Sequence, residues 1–300
     1  AKPVINARGH NTFLGGSSLS PRVLAAMEAA NRYFVDMAEL LVRSGQIVAE
    51  LLGAPAAYIT PGAAAALALG TAACIAGEDG AKIDQLPDIT GLRHEVIIQR
   101  LHRYKYDRCP TIVGARLREV GDANGTTVHQ IAAAITPATA AILFPAHLDG
   151  RPGTVPLAEV LALGKQHGVP VIVDAAGQVY PLEKMTGYAR QGADLVCFGA
   201  KYFGGPNSAG ILCGRKDLIA SATLQGFIGF ETTGHRSFGR PMKLDRQEIV
   251  AVVVALRDWM TMDHEARLRG YEQKVRYLAR ELAGVPGLTL VAEPSPGPAT

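Results

Sequence analysis

Short apolar runs recur along this chain with helical patterns between most of them, and this alternation constrains the fold more than any other feature. The runs are Ala56 to Ile59, Glu95 to Gln99, Ala115 to Val120, Thr139 to Phe144, Val169 to Asp174, Asp194 to Phe198 and Ala209 to Cys213. Parallel strands need crossover connections, usually helices, and strands covered on both faces read as continuous apolar runs. The pattern therefore predicts an α/β fold with a mostly parallel central sheet. Its helices carry their own start and stop signals. Ser20 and Pro21 open one over Pro21 to Asn31 as N-cap and first residue. A second runs from about Met37 to Leu52, with Leu40, Leu41, Ile47, Val48 and Leu51 on one face until Gly53 ends it. A third is the alanine helix that follows Pro61-Gly62 and reaches Ala76, and a fourth, Leu157 to His167, stops at Gly168.

Composition narrows the class. Of the 300 residues, 48% are hydrophobic, enough for a large core, yet no stretch has the roughly 18–20 unbroken apolar residues of a membrane span. A net charge of +3 from 30 basic and 27 acidic residues contains no long basic block of the kind that marks a nucleic-acid surface. The densest basic run, Arg100-Leu-His-Arg-Tyr-Lys-Tyr-Asp-Arg108, suits RNA or a small anion equally. Cys74, Cys109, Cys197 and Cys213 form no CxxC pair, so they are expected to be reduced core thiols of a cytoplasmic protein without a metal site. The start of the chain lacks a signal-peptide pattern.

Towards the end, helices are predicted over Arg246 to Met262 and His264 to Ala283, then a strand over Leu288 to Glu293 before the Pro-rich close Pro294 to Thr300. We read residues 1–36 as an N-terminal segment, 37–245 as a large domain, and 246–300 as linking helices plus the start of a small α+β domain whose remainder is absent.

In open α/β sheets, ligands bind outside the carboxyl ends of the strands. Asp174 closes one apolar run, and Lys201 lies just past another in Asp194-Leu-Val-Cys-Phe-Gly-Ala-Lys201-Tyr-Phe-Gly-Gly-Pro206. A lysine and a carboxylate so placed point to pyridoxal 5'-phosphate: the lysine would hold it as a Schiff base, and the aspartate would keep its pyridine nitrogen protonated. The turn Thr60-Pro61-Gly62 offers unpaired helix N–H groups and little bulk at Gly62, Ala63 and Ala64, which suits a phosphate; the same small residues would equally let the helix pack tightly.

The order of these parts is similar to that of the selenocysteine synthase (L-seryl-tRNA(Sec) selenium transferase)-like group of fold-type-I pyridoxal-phosphate enzymes. Val4-Ile-Asn-Ala-Arg-Gly9, Leu51 through Gly62 and its alanines, Glu95-Val-Ile-Ile98, Val171-Ile-Val-Asp174 and Phe198 through Gly210 carry the likeness, which spans nearly the whole chain. It implies an aspartate aminotransferase-like large domain. It also implies that His102 stacks on the cofactor ring, and that His147 and Asp149 reach towards the cofactor or substrate, although Asp149-Gly150 is also a strong turn signal. Arg8, His10 and Asn11 would meet substrate, and Arg236 and Arg240 would bind a substrate carboxylate or phosphate.

Relatives acting on aminoacyl-tRNA carry a further domain ahead of the Val4-Ile5-Asn6 segment and an asparagine-rich turn where this chain has Thr60-Pro61-Gly62. The resemblance therefore implies the small-molecule branch, of the D-glucosaminate-6-phosphate ammonia-lyase kind. The expected reaction on a beta-hydroxy amino acid or phosphorylated amino sugar acid is proton abstraction at the alpha carbon, beta-elimination and ammonia release. Beta-replacement, racemisation and transamination are the alternatives; intact Lys201 and Asp174 argue against a non-catalytic binding protein. Tyr33-Phe34 and the apolar segment Phe227-Ile-Gly-Phe230 point to a homodimer or larger even assembly, with Gly226 to Arg240 reaching a neighbour's pocket.

Overall fold

Complete burial of four successive strands places the centre of the fold. The computed structural model describes residues 1–291. Every residue of β4 (Thr139–Pro145), β5 (Val171–Asp174), β6 (Leu195–Gly199) and β7 (Gly210–Gly214) is buried. Successive strand side chains point to opposite faces, so burial without alternation means that both faces of the sheet are covered. With β1 (Ala56–Thr60), β2 (Glu95–Gln99) and β3 (Arg116–Val120) they form one seven-stranded sheet in the order β1-β7-β6-β5-β4-β2-β3. β2 to β6 pair in parallel, whereas β7 is antiparallel to both of its neighbours. The mostly parallel sheet is as predicted; the reversed β7 was not foreseen.

Helices α1 (Pro21–Asn31) and α2 (Met37–Leu52) form over the predicted spans. The Ser20 hydroxyl accepts from the Val23 N–H, and the Asp36 carboxylate accepts from Ala38 and Glu39 at 2.8 and 3.0 Å; caps of this kind are worth about 1 kcal/mol each. α3 (Gly62–Ala76) is buried at every position from Ala65 to Ala76, because small side chains let it sit against β4, β5, β6 and β7 together. The remaining helices are α4 (Gly80–Gln85), α5 (Val128–Ala134), α6 (Leu157–His167), α7 (Leu182–Arg190), α8 (Lys216–Gln225), α9 (Phe227–Thr232), α10 (Arg246–Thr261) and α11 (His264–Leu282). α10 lies along α1 and α2, while α11 buries only His264 and leaves Tyr271, Val275 and Leu278 exposed.

Two expectations need correction. Residues 288–291 form no strand, and the rest of the predicted Leu288 to Glu293 strand lies outside the described residues. Phe227 and Ile228 do not wait for a partner: α9 folds them onto their own chain at 5% and 8% exposure. Phe34, at 97%, stands in solvent with only the Arg246 guanidinium over its ring. Among the described residues, no helix is long and apolar enough to cross a membrane, and the four cysteines are buried and unbridged.

Candidate active site

The parallel strands end on one edge of the sheet, and the chain leaves β1, β5 and β6 there with the three segments singled out by sequence. β1 runs through Pro61 into the first turn of α3, β5 stops at Asp174, and β6 passes into a 3-10 turn, Ala200–Phe203, that holds Lys201. Gly62, Ala63, Ala64, Asp174 and Lys201 line a single cavity of about 190 Å³. That is below the roughly 300–1,000 Å³ of sites for drug-sized ligands. Larger hollows of about 690, 420 and 230 Å³ touch neither Asp174 nor Lys201.

Lys201 is half-buried, its Nζ donates to Thr12 Oγ1 at 2.7 Å, and burial lowers its pKa from the ordinary lysine value. Asp174 is 5% exposed and has neutral donors for partners. Its Oδ1 accepts from the Ala176 N–H at 3.1 Å and the Cys197 thiol at 3.4 Å, and its Oδ2 accepts from the Tyr104 hydroxyl. Burial, with Asp174 next, pushes the pKa values of Tyr104 and Cys197 up, so both stay protonated donors near neutral pH.

One wall of the cavity is the start of α3, at Gly62, Ala63 and Ala64. Gly62 has φ +83°, a left-handed conformation that favours glycine, and a Cβ on Gly210 would stand 2.6 Å from Gly62 C and 2.7 Å from Ala63 N. A side chain at Gly210 would thus push the first turn of α3 out of place. The N-terminal segment crosses the opposite side: Ser17 Oγ donates to the Gly205 carbonyl, His10 meets the Tyr202 ring edge-on at 5.9 Å, and Thr12 holds Lys201.

The other predicted residues are placed differently. His102 is fully buried beside the Phe144 ring at 4.9 Å, with its pKa pushed down to about 4 by burial, and it does not line the cavity. Gln99 draws it inward at 3.3 Å, and the ring facing the cavity near this turn is Tyr106. His147 sits behind the wall, 5.2 Å from the Tyr104 ring, and burial lowers its pKa. Asp149 turns away to accept the Leu157 N–H at 3.2 Å and so caps α6. Asn11 braces its own loop by donating to the Arg8 carbonyl, and Arg8 is exposed. Neither Arg236, whose N–H is bound by Asp84, nor Arg240, paired with Glu231 at 2.5 Å, reaches the cavity of its own chain. Lys201 is the one cation among the described lining residues, so none of the arginines expected to meet substrate lines the cavity of this chain. Within the basic run, Arg103 is neutralised by Asp107 and Glu119.

Thr12, Tyr104, Tyr106, Tyr202 and Asn207 belong to the site and were missed by sequence reasoning. Tyr202 was signalled by its adjacency to Lys201, and the two tyrosines by their place in the basic run. Nothing in the sequence marked Thr12 apart from its neighbours.

A family profile described as L-seryl-tRNA selenium transferase matches residues 43–265. The chain belongs to this family. Its relatives in the family include a Streptomyces 5'-C-glycyluridine monooxygenase-decarboxylase, 36% identical over 96% of this chain and 70% of that one. A Salmonella typhimurium D-glucosaminate-6-phosphate ammonia lyase is 32% identical over 96% of this chain and 74% of that one. A Moorella thermoacetica L-seryl-tRNA(Sec) selenium transferase is also 32% identical, but the chain spans only 57% of its length. A solved structure of D-glucosaminate-6-phosphate ammonia-lyase superposes with a TM-score of 0.85 at 30% identity, over 100% of this chain and 78% of that one. Serine palmitoyltransferase of Sphingomonas wittichii shares the fold alone, at 16% identity and a TM-score of 0.58.

The family member described here is a pyridoxal-phosphate-dependent enzyme with a fold-type-I architecture. The cavity fits that cofactor: a buried acid, a helix start of small residues that suits a phosphate and one amine line the same small space.

Proposed function

We propose that this enzyme is a lyase acting on a beta-hydroxy amino acid or phosphorylated amino sugar acid, removing the alpha proton, expelling the beta substituent and releasing ammonia. The observation that carries the reading is the convergence of Lys201 and Asp174 on one cavity, in a chain that superposes over its full length with an ammonia-lyase. When bound, the cofactor supplies an electron sink for the substrate carbanion. Lys201 would be its attachment point, and Nζ would act as the base for the alpha proton; burial eases that role because a lysine at its usual pKa of roughly 10.4 is a cation near neutral pH. Thr12 Oγ1 accepts a hydrogen bond from the same amine. Asp174 would accept the pyridine N–H, and the first amides of α3 would hold the phosphate.

A specific observation favours a second reading. The relative at 36% identity is named a monooxygenase-decarboxylase. One screen separates the two. Beta-hydroxy amino acids and amino sugar acids, with and without phosphate, are offered while ammonia, carbon dioxide and oxygen uptake are followed together. Ammonia release without oxygen consumption is expected; oxygen-dependent loss of carbon dioxide would replace the lyase reading, and no turnover of any member would remove it.

Among the described lining residues, Lys201 is the one cation, so a carboxylate or phosphate on the substrate needs a further cation from elsewhere. We read Arg236 and Arg240 as serving a neighbouring subunit, in a cytoplasmic homodimer or larger even assembly; the exposed Tyr33 and Phe34, at 70% and 97%, support an interface. Residues 1–36, 37–245 and 246–300 are read as N-terminal segment, large domain and start of a small domain, and the exposed apolar row on α11 supports the last. Light scattering is expected to give at least twice the chain mass. A monomer with full activity at the same dilution would end the shared-site reading.

A further inference from the structure

We propose that Tyr104 is a positioning residue for the cofactor's acidic partner, its hydroxyl fixing one oxygen of the Asp174 carboxylate. The inference rests on the cofactor assignment and not on the substrate. A carboxylate at the end of a strand can rotate about its terminal torsion, and in a dry pocket each oxygen left without a donor carries a desolvation cost. Oδ1 of Asp174 is held by the Ala176 N–H and the Cys197 thiol. Oδ2 has the Tyr104 hydroxyl, supplied from seventy residues away in the chain.

Tyr104 is itself fixed from three sides. Its N–H donates to Asp107 Oδ2 at 3.1 Å, and that same oxygen takes the Arg103 Nε at 2.5 Å. Asp107 is only 2% exposed, and Arg103 is tethered again by Glu119 at 2.9 Å. The phenol ring stands against His147 at 5.2 Å and Tyr106 at 6.2 Å, which limits its swing. A chain of contacts, Glu119 to Arg103 to Asp107 to Tyr104, thus runs from β3 to the site and ends on the carboxylate. A tyrosine that served only to fill the wall would need the ring contacts but not the hydroxyl, and would need no pinned backbone.

The test uses the 300-residue chain freed of cofactor and then titrated with pyridoxal phosphate. Tyr104→Phe keeps the ring and removes the O–H. It is expected to weaken cofactor binding by about ten- to a hundredfold, the range for one lost hydrogen bond to a charged group. The pH midpoint of the visible band should move, kcat should fall with KM little changed, and the melting temperature of the cofactor-free chain should stay near that of the parent. Parent-like affinity together with a parent-like midpoint would overturn the proposal, whatever happens to stability. If Tyr104→Phe does not fold, Asp107→Asn loosens the same tyrosine while keeping its hydroxyl. A smaller loss of cofactor affinity supports the proposal there, and unchanged affinity overturns it. Cofactor affinity and the pH midpoint involve no substrate, so the result on those two stands whether or not ammonia is released.

Discussion

Lys201→Ala is expected to give a folded protein with no covalently held cofactor and turnover below about one thousandth of the parent. General acid–base catalysis alone is worth roughly 10²–10⁴-fold, and this change removes the attachment point as well as the base. The fold should tolerate it. Lys201 is half-buried at the cavity wall, and the group it leaves is the Thr12 hydroxyl, which is exposed and can turn to water. Visible absorbance before and after borohydride treatment, followed by mass analysis of the peptide carrying residue 201, reads the outcome directly. A reducible band that persists in the variant would falsify the assignment.

Asp174→Ala should behave differently, keeping part of its cofactor while losing turnover by about 10²–10³-fold. That is the range seen when a preorganised electrostatic partner of developing charge is removed. The first turn of α3 remains to hold the phosphate, so binding is weakened rather than abolished. The change also strands the Tyr104 O–H and Ala176 N–H, at a cost to stability of about 1–3 kcal/mol for each donor left without a partner. Asp174→Asn separates the two effects, since it restores an acceptor without the charge. Steady-state kinetics and thermal melts on both variants check this, and near-parental turnover in either would reduce Asp174 to a strand-end residue.

The parts of the fold that sequence made legible are those with local punctuation. Ser20-Pro21, Gly53 and Gly168 mark bounds of α1, α2 and α6 because a cap is decided by two or three adjacent residues. Strand direction is not local. β7 reverses because only residues 200–209 join it to β6, fewer than the dozen or so that a parallel crossover needs. The site divides the same way. Asp174, Lys201 and the Gly62 turn sit in recognisable strand-end segments, whereas Tyr104 and Thr12 reach the cavity only through tertiary folding. Asp149 shows the hazard in reverse: its Asp-Gly signal had a local meaning, and the structure uses it for a cap.

The reversal of β7 has a consequence for which parts of the cavity can change independently. Gly199 pairs with Gly210 at the mouth of the Lys201 hairpin, and Gly210 abuts Gly62 and Ala63 at the start of α3. One backbone ladder therefore sets the spacing between the Lys201 turn and the first turn of α3, and neither can be moved alone. The strap carrying Thr12 and the tyrosines of the β2 turn lie outside that ladder. Substitutions in those two segments can therefore reshape the cavity wall without disturbing the ladder.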